Sequence, residues 1–416
     1  MKTWIEENLK NLNQTDEMNP PEGFTRLSYT AEEWESITQF KQIAEDLGLH
    51  LKQDEAGNVI ARWDPETEEG QKRSAAATGS HLDTVANGGG YDGAAGVLCG
   101  LGAVKMLKDQ GFSPQRPIEV ICFISEESAR FGVSTIGSKA MAGLLDPDKL
   151  KDVADKDGVT VKEAVEFRGF NWDRITSAER EEEEIYSFLE LHIEQGTRVQ
   201  DAGADFGAVT AIACPIRLNV TVTGRAGHTG TTPMDRRHDA LVSAAPLITF
   251  VSERAKALSA EKDLPVVATC STIELKPNVM NVIPGTAEIG IDIRSVDDNL
   301  KEELEQEVYE KCREIEETFQ VKVTTEKLVH NPSITLEPKV FETIRDTGKS
   351  AGYKPLTLES GAGHDVMNMQ AKWPSGLLFI PCRDGLSHHP DEHAELEDLV
   401  MGVKLIAAYL EKETGE

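Results

Sequence analysis

The sequence predicts an α/β protein with a second, smaller α+β domain inserted into it, and three observations carry that expectation. Its 416 residues exceed what one ordinary core accommodates. The runs at 75–79, 120–124 and 186–191 each lead directly into polar, chemically capable residues, as buried strands do where they surface at a site. Between about residues 215 and 323 the pattern changes to strand, helix, strand, strand, helix, strand, the order of a split βαβ sandwich.

The elements follow in order. A polar helix opens the chain. Residues 35–47 then place Ile37, Phe40, Ile43, Ala44 and Leu47 at helical spacing. Residues 58–61 read as a strand, followed by a polar loop through Gly70. Residues 75–79 run into Ser80-His81-Leu82-Asp83-Thr84, the carboxyl end of a buried strand. From Gly93 a helix carries Val97, Leu98, Leu101, Val104 and Leu107 on one face and closes at Gly111. The apolar run 120–124 is a central strand with Glu126 and Glu127 just past its end, and 186–191 repeats the pattern with His192 at its end.

In the middle segment, 216–223 alternates as a strand, 239–258 is helical, and 266–273 and 287–293 are two further strands. Leu300, Leu304, Val308, Cys312, Ile315 and Phe319 mark a second amphipathic helix, and 321–325 a last strand. Flanked by α/β sequence, this is an inserted domain of about 110 residues. The expected boundaries are 1–212 for the first part of the main domain, 213–327 for the insert and 328–416 for the second part. Beyond the insert, 340–351 is helical, 377–380 a strand and 396–410 a closing helix.

A composition of 39% apolar, 28% charged and 6% aromatic residues is that of a soluble globular protein. The formal charge of −29 argues against nucleic acid and against anionic membrane surfaces as partners. The run Glu181 to Glu184 reads as a solvated face or loop. The first thirty residues lack the apolar core of a signal peptide, and no run approaches the ~20 apolar residues of a membrane span. Six scattered cysteines without a C-x-x-C pair suit free thiols in a reducing compartment, so a cytoplasmic location is expected.

Five separated segments supply metal-ligand chemistry: His81 with Asp83, Asp92, Glu126 with Glu127, His192, and His388. Singly, each has a plain reading. A histidine at a strand end is usually structural, paired glutamates are usually solvated, and Tyr91-Asp92-Gly93 could be a turn with a helix cap. Together, three imidazoles and several carboxylates suit two borderline metal ions with nitrogen and oxygen ligands.

The blocks Gly79-Ser80-His81-Leu82-Asp83-Thr84-Val85, Gly88-Gly89-Gly90-Tyr91-Asp92-Gly93, Glu126-Glu127-Ser128-Ala129-Arg130-Phe131 and Leu191-His192-Ile193-Glu194-Gln195-Gly196 occur in that order. Gly227-His228-Thr229-Gly230-Thr231-Thr232-Pro233-Met234, Asn281-Val282-Ile283-Pro284-Gly285, Asp292-Ile293-Arg294-Ser295, Ser360-Gly361-Ala362-Gly363-His364-Asp365 and Ser387-His388-His389-Pro390-Asp391-Glu392 follow. This set resembles the hydantoinase/carbamoylase family of zinc amidases, within the aminoacylase and dipeptidase group of two-zinc hydrolases.

The resemblance implies a two-zinc aminopeptidase-like catalytic domain with an inserted ferredoxin-like lid and dimerisation domain. It implies two Zn2+ per subunit, with Mn2+, Co2+ or Ni2+ as possible substitutes. His81 and His192 would hold one ion, Glu127 and His388 the other, with Asp92 bridging. Chemistry alone does not choose between His388 and His389; the family pattern Ser-His-x-Pro-x-Glu places the ligand at His388. Asp83 is placed to accept the other N–H of His81. Glu126 resembles the general base and acid, and His228 the stabiliser of the oxyanion. Arg294 would grip a substrate carboxylate as a fork, with Asn281, Gln195 and the backbone at Gly361 and Ala362 completing recognition.

The implied activity is hydrolysis of an N-carbamoyl-L-amino acid to the amino acid, carbon dioxide and ammonia, by a homodimer acting on a small carboxylate-bearing ureido compound. Allantoate is the alternative substrate, and an N-acyl amino acid or dipeptide a more distant one. His192 with Gln195 favours the amidases over peptidase relatives, which offer a carboxylate at that ligand position. A binding protein with a dead site is a third reading, but every expected catalytic position is filled.

Overall fold

Strand Ala75–His81 lies between two parallel neighbours, Ile118–Phe123 on one side and Ile185–Ile193 on the other, and Ser375–Ile380 continues parallel beyond the latter. The computed structural model describes residues 1–415. The chain first steps to one side of Ala75–His81 and then crosses to the other, which makes the end of that strand a topological switch point. These four strands are buried along nearly their whole length. Both faces are covered, so their sequences are continuous apolar runs rather than alternating ones. Val59–Trp63 and His50–Gln53 extend one edge antiparallel, and Phe206–Ile212, paired with Pro355–Ser360, extends the other.

Helix Ala94–Asp109 packs on Ala75–His81 and Ile185–Ile193 and against the closing helix Leu396–Thr414. The early helix is Ala31–Asp46, four residues longer at its start than its apolar spacing indicates, because Thr30 caps it by accepting from the Glu33 N–H. All of these elements, save the last two residues of Phe206–Ile212, belong to one compact unit formed by residues 1–210, 336–360 and 364 onward.

A second unit comprises Ala211–Thr335 and Gly361–Gly363. Its sheet is antiparallel in the order Lys322–His330, Ile216–Thr223, Thr286–Arg294, Val267–Lys276. Helices Ala240–Lys262 and Asp298–Phe319 pack with it around Leu218, Val220, Leu247, Val251, Ile289, Leu304 and Val308. Asp239 and Asp297 cap the two helices, each accepting from two backbone N–H groups. The chain order is therefore the β-α-β-β-α-β expected. The two edge strands run past their expected ends, to Lys276 and His330. Their outer residues are mostly exposed and none is buried, so backbone pairing rather than side-chain burial continues them.

The strands His50–Gln53, Phe206–Ile212 and Pro355–Ser360, and the short helices Ile136–Met141 and Val161–Phe167, went unread in the sequence. The four glutamates 181–184 form an exposed turn. Among the described residues, no helix is long and apolar enough to cross a membrane.

Candidate metal centre

His81 ends its strand and His192 is the penultimate residue of the neighbouring parallel one, so both emerge at the same edge of the sheet. His81 Nδ1 lies 3.0 Å from the Asp83 carbonyl oxygen, and His192 Nδ1 lies 2.9 Å from that of Ile193. With each Nδ1–H donating to a carbonyl, each Nε2 keeps its lone pair for the site. Both point at one oxygen: Asp92 Oδ1 is 3.0 Å from His192 Nε2 and 3.4 Å from His81 Nε2. The other oxygen, Oδ2, is 3.4 Å from His388 Nε2, which is 3.2 Å from Glu127 Oε1. Asp92 is thereby shared by two donor groups, His81–Asp92–His192 and Asp92–Glu127–His388, whose ligand atoms lie within 4.8 Å of one another. Gly93 must remain glycine: its φ is +64°, and a Cβ there would stand 2.6 Å from the His81 ring.

Glu126 and Glu127 follow strand Ile118–Phe123 across Ser125, whose φ is +55°. The Asp83 carboxylate holds this turn, accepting from the Glu126 N–H at 3.0 Å, the Glu127 N–H at 2.9 Å and Ser28 Oγ at 3.0 Å. Its carboxylate is 3.4 Å from His81 Nδ1, farther than its own carbonyl, so the expected pairing of that carboxylate with the imidazole is the lesser of its engagements. Glu126 Oε2 approaches His81 Nε2 to 3.9 Å, and Glu126 belongs to neither donor group. Ser125, Gln195 and His388 all hold left-handed backbone conformations, with φ of 55°, 58° and 57°. Such strain persists where the surroundings over-determine it, which is common at functional sites.

Burial lifts the Glu126 carboxyl well above the ordinary range, against the pull of His81. Hydrogen bonds that the protonated ring donates to Asp92 and Glu127 push His388 up to about 10. Burial works against the Asp92 anion, but the His192, His388 and His81 imidazoles outweigh it and hold its pKa well below the carboxylate range. Inward-facing imidazole lone pairs and convergent carboxylates are a donor set that a pair of divalent ions satisfies, so the residues present fit such a group.

The model of peptidase family M20/M25/M40 matches residues 77–412, a span that contains every residue of both donor groups. The chain belongs to this family. It is 35% identical over 389 residues to an N-carbamoyl-L-amino acid amidohydrolase of Geobacillus stearothermophilus, covering 93% of this chain and 92% of that one. It is 33% identical over 392 residues to an allantoate amidohydrolase of Escherichia coli, covering 94% and 93%. A solved hydantoinase/carbamoylase family amidase from Burkholderia multivorans superposes with a TM-score of 0.88 at 26% identity, covering 100% of this chain and 98% of that one.

In this M20 chain the residues expected to bind substrate are already engaged to different degrees. Gln195 donates through Nε2 to Asp92 Oδ2 at 2.7 Å, while its carbonyl oxygen is buried and has no hydrogen-bond partner among the described residues. Arg294 directs Nε and Nη2 to Asp292, at 2.7 and 3.3 Å, and Nη1 to the Gly361 carbonyl at 2.8 Å. Its fork thus has a resident carboxylate, which itself also accepts from Arg217. His228 is exposed on a two-stranded ladder of Gly227–His228 with Val282–Ile283, and Asn281 is exposed in the turn just before that ladder. His228 Nδ1 accepts from the Gly230 N–H at 3.0 Å. It caps no helix: the short 3-10 turn Met234–Arg236 has Pro233 at its N-cap and no side-chain cap bond, and the α-helix beginning at Ala240 is capped by Asp239. Gly361 and Ala362 lie in the stretch that joins the second unit, and a Cβ on Gly361 would meet open space.

Three further residues bear on the site without having been given roles from the sequence. The His364 ring stacks obliquely on His192 with centroids 4.5 Å apart. Ser387 Oγ is 3.0 Å from Asp92 Oδ2, and Glu392 is fully buried beside it. Their presence inside the quoted motif blocks was the available signal; their contacts were not readable.

Proposed function

We propose that this chain hydrolyses the carbamoyl C–N bond of an N-carbamoyl-L-amino acid, yielding the amino acid, carbon dioxide and ammonia. One observation carries the reading: a single carboxylate, Asp92, is shared by two nitrogen and oxygen donor groups at the carboxyl edge of parallel strands. His81, His192 and Asp92 would hold one ion, and Asp92, Glu127 and His388 the other, with zinc the metal the family resemblance favours. Two ions so held supply a nucleophile at neutral pH and polarise the scissile carbonyl.

The protein's own residues supply the rest. Glu126, beside a ligand but outside both donor groups, accepts the proton of the attacking water and returns it to the departing nitrogen. Asp83 keeps Glu126 and Glu127 in register through their backbone N–H groups. Arg294 takes the substrate carboxylate, with Asn281, Gln195 and the backbone of Gly361 and Ala362 placing the ureido group. His228 stabilises the tetrahedral oxyanion, and in the homodimer this reading expects, it does so at the partner's centre. The cytoplasm is the expected compartment.

Allantoate is the second reading, supported by near-equal identity to an allantoate amidohydrolase. Ammonia release from a panel of N-carbamoyl amino acids, allantoate, ureidoglycolate, 3-ureidopropionate and N-acyl amino acids decides. Turnover of a carbamoyl amino acid above the others is the expected result. Turnover confined to acyl amino acids or peptides overturns the proposal.

A further inference from the structure

Glu392 is a carboxylate with no exposure to solvent, and each of its oxygens holds a different loop of the metal centre. Oε1 accepts from the backbone N–H of Tyr91 and of Asp92, both at 2.9 Å. Oε2 accepts from Ser387 Oγ at 2.9 Å and from the His388 N–H at 3.3 Å. One side chain therefore ties the loop bearing the shared carboxylate to the loop bearing His388, about 300 residues later in the chain. The Ser387 hydroxyl also lies 3.0 Å from Asp92 Oδ2, and its single proton goes to Glu392 Oε2 or to Asp92 Oδ2 but not to both at once.

The glycine-rich turn is shaped around this carboxylate, and the loop that carries it is anchored separately. A Cβ on Gly89 would stand 2.3 Å from both Cβ and Oε1 of Glu392, so the glycine-rich turn before Asp92 is closed to any larger residue. The far side of the His388 loop is fixed by Asn19, whose amide donates to the carbonyls of Pro390 and Glu392, each at 3.1 Å. His388 itself sits at φ +57°, a left-handed conformation uncommon for residues other than glycine.

We infer that Glu392 is a positioning residue that sets the Asp92–Glu127–His388 donor group, and that it governs the affinity and occupancy of that group selectively. The inference rests on the two-metal reading and names a determinant within it. The donor group His81–Asp92–His192 depends less on Glu392, because its two imidazoles emerge from paired strands and are oriented by their own backbone carbonyls. The carboxylate form matters because four donors converge on two oxygens. A glutamine offers one acceptor oxygen and turns an N–H2 toward the other pair of donors.

The test is competitive titration of metal-free full-length chain with Zn2+ against a chromophoric chelator, alongside thermal unfolding of the metal-free protein. Wild type is expected to take up two equivalents. Glu392→Gln is expected to hold one equivalent as wild type does and the other about 10–100-fold more weakly, the range for partners that orient ligands. His388→Ala identifies which equivalent is affected, and the double variant should lose nothing beyond His388→Ala at that equivalent. Gly89→Ala, which displaces the carboxylate without altering its chemistry, should reproduce the selective loss even where Glu392→Gln folds poorly. Unchanged affinity for both equivalents in Glu392→Gln and Gly89→Ala overturns the inference. So does equal weakening of both equivalents with a matching fall in Tm, which is a general structural effect. Uptake of fewer than two equivalents by wild type overturns the two-metal reading itself, and this inference with it.

Discussion

The two units of the chain hold their chemistry in opposite ways. In the first, His81, Asp83, Asp92, Glu126, Glu127 and His192 are buried and bonded to one another or to backbone at the ends of fully buried strands. In the second, His228 stands exposed on a two-residue ladder with Asn281 in the turn before it, and Arg294 is already paired with Asp292. Reactive groups gain from fixed geometry and exclusion of water. Recognition groups that must admit and release a substrate are carried on surface turns. A buried reactive group such as Glu126 should therefore respond to substitution chiefly in kcat, and an exposed recognition group in ways that depend on substrate or partner.

Four experiments test that contrast. The largest effect is expected at Glu126. Glu126→Gln should lower kcat by roughly 10²–10⁴ while metal content stays near wild type, measured by single-turnover rates beside metal analysis. Loss of metal in that variant would make Glu126 a ligand.

His228→Ala should lower kcat by about 10²–10³, the usual effect of removing one oxyanion donor. Mixing it with Glu126→Gln chains then asks where the group acts. Return of activity from the two impaired parents means that His228 serves the partner's centre, and a mixture as inactive as its parts means that it serves its own.

Arg294→Lys keeps the charge and loses the fork, so kcat/KM should fall by about 10–100-fold. Comparing a carbamoyl amino acid with its carboxamide analogue isolates the clamp. Equal handling of the two by wild type would remove Arg294 from substrate recognition.

The smallest effect lies away from the site, at Asp54. Burial raises this carboxyl from its ordinary 3.8 to about 6, against hydrogen bonds from Asn58 and from the backbone N–H groups of Asn58, Ala56 and Gly57. An acid with a raised folded-state pKa binds its proton more tightly when folded. Its contribution to stability is therefore full below the unfolded value and is lost as pH rises through 6. Relative to Asp54→Asn, wild type should lose about 1 kcal/mol of unfolding free energy between pH 5 and 7. A constant difference in denaturant midpoints across that range would show that burial leaves Asp54 at its ordinary value. In the second unit Asp292 has the opposite sign. Burial raises it, but hydrogen bonds from Arg294 and Arg217 outweigh that and lower its pKa.

The central strands and the five donor segments were legible because burial on both faces writes continuous apolar runs, and because histidine and carboxylate at strand ends are conspicuous by type. Strands such as Phe206–Ile212, which lies between Ser375–Ile380 and Pro355–Ser360, and Pro355–Ser360 itself were not, since Gly, Thr, Pro and Glu break them into neither a continuous apolar run nor a clean alternation. The role of Asp83 was legible only in part. Residue type marked it as an acceptor beside His81, while its stronger hold on the backbone of residues 126 and 127 follows from a parallel strand pairing that brings the two turns together.

By itself, the sequence determined the α/β class, the β-α-β-β-α-β segment, the amidase resemblance and the identities of the candidate ligands, because each is written in local spacing or in contiguous motifs. Tertiary structure decided which oxygen of Asp92 faces which histidine, that Arg294 already has a carboxylate partner, and that Glu392 ties two distant loops together. Apart from the Arg294–Asp292 pair, which lies within one strand, those are matters of angstroms between residues tens to hundreds of positions apart. They depend on strand order, on left-handed turns at Ser125 and His388, and on the space left by a glycine, none of which local spacing records.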